Sequence, residues 1–203
     1  MKSALALAAV LLAGSVQAQD AVEPIEKSVA TQFAEAIADF CLPVANGTVN
    51  ISASDVSGDQ EIIESQGFSY GIDGSIYERF GIQGSGILNR SVMGHRVIGE
   101  DVIVLAVGGQ LPGCKTILLR SAVDNLEDEV AIALTELEPQ WRELPFADSR
   151  QGSRVTMRRF LMRDSEGKPF LINLITTPIP NSDFRLLATV NAVPSNIPIP
   201  QGF

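Results

Sequence analysis

The chain has 203 residues, 45% of them apolar, with 15 Lys plus Arg against 24 Asp plus Glu and a formal net charge of −9. Such an apolar fraction supports a folded core and argues against global disorder. A surface of that sign repels polyanions, so no nucleic-acid partner is expected.

The opening segment, MKSALALAAVLLAGSVQAQD, carries one charge at Lys2, an apolar run from Ala4 to Ala13, and Val16-Gln17-Ala18 in the small-x-small pattern that signal peptidase cuts. Cleavage after Ala18 is expected, which leaves 14 basic residues against 24 acidic and a net charge of −10. The run is shorter than the roughly 20 residues a spanning helix needs. No later stretch is longer, so the mature chain is not expected to span a membrane. Ser15 stands where a lipoprotein would carry its acylated cysteine. The expected location is therefore periplasmic or secreted, without a lipid anchor. Residues 19–193 read as one domain and 194–203 as a Pro-rich tail, expected to be extended.

Val29, Phe33, Ile37, Phe40 and Cys41 recur at helical spacing within residues 24–41. Pro24 suits the first turn and Pro43 is expected to end the helix. A polar loop follows, then a short helix at DQEIIESQ closed by Gly67, with Phe68 folding back on it. Glycines crowd residues 67–86, which predicts turns and one short strand near Ser75 to Phe80. From Gly86 the pattern is extended, and the Val-Ile-Val-Leu-Ala-Val run before Gly108 suits a strand buried on both faces. A glycine-rich turn then leads into CKTILLRSA, a hairpin whose second strand starts at Cys114.

DNLEDEVAIALTELEP reads as a helix, with Asp124 and Glu127 as a capping box and Leu126, Val130, Leu134 and Leu137 on one face. Three extended segments follow, the first two joined by the tight-turn sequence Asp-Ser-Glu-Gly, which predicts an antiparallel meander. The expected fold is α+β: an antiparallel sheet of five or six strands with helices on one face, in the order α-α-β-β-(β)-α-β-β-β.

Cys41 and Cys114 are the only cysteines, and two cysteines in an exported chain are expected to pair. His95 is the only histidine, and no nucleophile elbow, calcium loop, Walker sequence or dinucleotide fingerprint accompanies it. No metal, cofactor or catalytic constellation is expected. The basic residues are segregated: seven of them lie between Arg142 and Lys168, whereas residues 19–64 carry nine acids and only Lys27. Strand alternation puts Arg154, Thr156 and Arg158 on one side and Arg159 and Arg163 on the other. Arg154 and Arg158 are the expected contacts for a small anionic ligand. Pairing of these arginines with acids of the neighbouring helix is the competing expectation.

The sequence thus points to an exported, disulfide-stabilised envelope protein that binds a ligand or partner without catalysis. A hydrolase or thiol enzyme using His95, and an accessory subunit of an envelope complex, are the alternatives.

Overall fold

A hydroxyl starts the first helix: Ser28 accepts a hydrogen bond from the Thr31 N–H at 3.1 Å, and α1 (Val29–Glu35) follows. The computed structural model describes residues 27–82, 91–108, 113–119, 126–137, 140–145, 156–177 and 185–199, so Pro24 lies outside the described residues.

Pro43 does not end this helix. The chain passes through a π-helical turn (Ala36–Cys41) into α2 (Leu42–Asn46), with the Leu42 N–H donating to the Ile37 carbonyl five residues back. Proline lacks an N–H and its ring crowds the carbonyl four residues earlier. The wider turn just ahead of Pro43 accommodates both, and the helix stops instead at Gly47, whose φ is 84°.

In α3 (Val56–Ser65) Asp55 caps the start through Gly58 N–H. Its end is as expected: Gly67 has φ 73°, its N–H reaches Glu64 O, and Phe68 N–H reaches Ile63 O. Phe68 folds back into the core.

The sheet corrects the expected strand count and order. Among the described residues it has eight antiparallel strands in the order β1-β2-β3-β4-β8-β7-β6-β5. Six are long: β2 (Ser91–Ile98), β3 (Asp101–Gly108), β4 (Cys114–Leu119), β6 (Thr156–Arg163), β7 (Pro169–Thr176) and β8 (Leu186–Ala192). The other two, β1 (Ser69–Tyr70) and β5 (Arg142–Glu143), close the two edges. Two residues are too few to show a period of two, which is why the sequence pattern does not reveal them. The expected short strand near Ser75 is instead α4 (Gly74–Phe80), capped by Asp73, whose carboxylate accepts from Ser75 N–H at 2.7 Å.

The β3–β4 hairpin and the β6–β7–β8 meander form as expected. Gly167, at φ 80°, makes the turn between β6 and β7. From β4 the chain leaves through α5 (Leu126–Leu137), re-enters at the far edge, and walks back until β8 pairs with β4. Asp124 of the expected capping box lies outside the described residues. In α5 Leu126, Val130 and Leu134 are buried, whereas Leu137 is 40% exposed and leaves the core face.

Helices cover both faces, not one. α1, the π-turn, α3 and α5 enclose the larger core with Ile103 and Leu105 of β3. α4 places Ile76 on the reverse face against Val102, Val104 and Ala106. The apolar run of β3 is buried on both sides for this reason. Gly94 on β2 makes room for α3: a Cβ there would sit 2.4 Å from Ile63 Cγ2. In the tail a turn links Ile197 N–H to Pro194 O, so residues 194–197 are not extended.

Candidate functional site

Of the basic residues the sequence singles out, strand β6 carries Arg158, Arg159 and Arg163. Arg158 points to the helix side and is fully engaged with acids. Its Nε and Nη2 donate to the two oxygens of Glu143 at 2.8 and 2.6 Å, and its Nη1 donates to Asp128 Oδ1 at 2.7 Å. Thr156 beside it donates to Glu127 Oε2 at 2.7 Å. The bidentate hydrogen bonds from Arg158 hold the Glu143 carboxyl below its ordinary pKa and raise that of the guanidinium. Two partners of charge −1 surround one of +1, so the site is locally acidic. Its geometry ties the first turn of α5 to β5 and β6. Arg154 lies outside the described residues.

His95 is half-buried on β2, and its Nδ1 lies 2.9 Å from Gly71 O. Cys41, at the end of the π-turn, and Cys114, at the start of β4, form a disulfide with Cα atoms 5.1 Å apart. Both are 0% exposed and no cysteine is free, so a thiol enzyme has no thiol to use. Among the described residues no group of three His, Cys, Asp or Glu side chains is placed to hold a metal ion, and no helix is long and apolar enough to cross a membrane.

A groove of about 380 Å³ opens where the first helical run meets the sheet. Val44 and Ala45 of α2 form one wall, and Val107, Val190, Asn191 and Ala192 contribute to the other. Its walls are joined by the Cys41–Cys114 bond. None of the described residues that line it titrates, so they can exclude water and offer an amide but cannot move a proton.

Lys115 is a residue that sequence reasoning missed. It is 0% exposed, and its Nζ donates to Gly108 O at 2.6 Å. Burial pushes its pKa down, because the ammonium loses water on folding. In the interval between that lowered value and the ordinary 10.5, the unfolded chain binds more protons than the native one, so this lysine makes stability rise with pH. The difference in unfolding free energy, Lys115→Met minus wild type, is expected to fall as pH is raised from neutral toward 10.5. Urea titrations at several pH values measure it, and a constant difference would contradict the assignment. The signal was a cation inside the run CKTILL, between positions that are otherwise buried.

No family model, curated protein or solved structure matches the chain.

Proposed function

We propose that the chain is an exported, non-catalytic binding module of the cell envelope, released as the mature protein by cleavage after Ala18. The observation that carries the binding reading is the groove between α2 and the sheet, whose described lining is apolar with one amide and no acid or base. The buried disulfide supports an oxidising destination, since such bonds persist outside the reducing cytosol. Apart from the groove, whose described lining carries no cation, the ligand we assign is small and anionic, with Arg154 and, on β6, Arg158 as its contacts. An anion at Arg158 must displace Glu143 or Asp128.

Titration of the mature protein with inorganic phosphate and with succinate tests this. Arg154→Ala with Arg158→Ala is expected to leave the fold intact and weaken binding about tenfold, the effect of one charged hydrogen bond. Unchanged affinity would retire these two contacts. A second reading, docking of an envelope partner, is supported by the exposed side of α5, where Ile132 is 57% exposed among Asp128, Glu129 and Glu136.

A further inference from the structure

We propose that the reverse face of the second half of the sheet holds a separate anion site, formed by Arg159, Asn173 and Thr189. It shares with the reading above only the chemistry of the ligand. These residues stand directly opposite one another on adjacent strands: Arg159 faces Asn173 across β6 and β7, Asn173 faces Thr189 across β7 and β8, and Thr189 faces Lys115 across β8 and β4. With strands about 4.8 Å apart, the first three span about 10 Å.

The hydrogen bond between Asn173 and Thr189 leaves donors to spare. Asn173 Nδ2 donates to Thr189 Oγ1 at 3.3 Å. That bond occupies the hydroxyl oxygen as an acceptor and leaves its proton, and the second amide proton, to be given to a ligand. Arg159 is exposed one strand away, while Asn173 and Thr189 are half-buried. Lys115 ends the row out of solvent and is committed to Gly108 O, so it is not a ligand contact.

Charge sets the class of ligand. Arg142 and Arg163 share this face with Arg159, because Arg142 pairs with Leu161 and alternation puts residues 159, 161 and 163 on one side. All three, Arg159 included, have contacts of their own, Arg163 with Gly167 O among them, so an anion would share their donors with those partners. The one acid in strands β5 to β8 is Glu143, and it lies on the helix side with Arg158. A face of arginine, amide and hydroxyl donors without an acidic strand position, on a chain of net charge −9, fits a small carboxylate or phosphate.

The test is titration of the full mature chain with inorganic phosphate and succinate, followed by amide chemical shifts, for wild type and for Arg159→Gln, Thr189→Val and Arg158→Gln. The shifts are expected on β6, β7 and β8 at Arg159, Asn173 and Thr189. Arg159→Gln should weaken the saturation of these shifts about tenfold and Thr189→Val several-fold. Thr189→Val keeps the side-chain shape, so it reads the donor even if Arg159→Gln perturbs the fold. Weakening by Arg158→Gln alone would overturn this site and leave the Arg154 and Arg158 reading standing. Absence of saturable binding by the wild type would overturn both, and binding to anionic phospholipid vesicles without binding to either soluble anion would overturn the small-ligand assignment.

Discussion

Replacing Cys41 and Cys114 together by alanine is expected to lower the unfolding free energy by about 4 kcal/mol, the chain-entropy value for a loop of this length. The two residues are 73 apart in sequence, so the bond removes many conformations from the unfolded chain. Alanine is the suitable replacement because both positions are 0% exposed, and serine would bury a hydroxyl there. Urea denaturation of the double variant beside the oxidised wild type measures the effect. A loss below about 1 kcal/mol would mean that the unfolded chain is already restricted in this region.

Phe33→Ala should have an effect of similar size, about 3–5 kcal/mol. Phe33 is 0% exposed on α1, the helix that packs on α5. Removing its ring leaves a cavity between the helices and the sheet, in the cluster that also contains Val130, Leu134 and Trp141. Trp141 is the single tryptophan and is 2% exposed, so its emission should shift to the red if the cavity admits water. A loss under about 1.5 kcal/mol with unchanged emission would show that α1 and α5 collapse to fill the gap.

Much of this architecture was legible where a pattern ran long enough to repeat. The helical spacing of Val29, Phe33 and Ile37, the unbroken apolar run of β3, and the Gly67 and Phe68 close of α3 all appear where the residues place them. The misreadings have local causes. Pro43 is a helix breaker only if the turn before it keeps its usual pitch, and here it does not. Residues 74–80 contain Gly74 and precede Gly81, so a short capped helix reads as a short strand among turns. Helices on both faces were hidden because α4 contributes a single fully buried anchor, Ile76.

The same holds for the site. Alternation correctly separates Arg158 from Arg159, but it carries no information about which acids will face either one. The partners of Arg158 come from a two-residue edge strand and from a helix some thirty positions away, contacts that only the fold creates. Asn173 and Thr189 became visible as a pair only once the register of β7 and β8 was known.

The route of the chain through the sheet also bears on the order in which the molecule assembles. Both sulfurs belong to the segment that ends with Cys114, whereas the strand that completes the middle of the sheet, β8, is the last to be made. A chain that enters an oxidising space N-terminus first can therefore form this bond before β4 has its second neighbour and before α5 covers α1. During that interval an open strand edge and an apolar helix face are offered to any other chain nearby, conditions that favour aggregation. The covalent bond fixes the start of β4 against the first helical run, so the template on which the final strand docks is already anchored when that strand arrives.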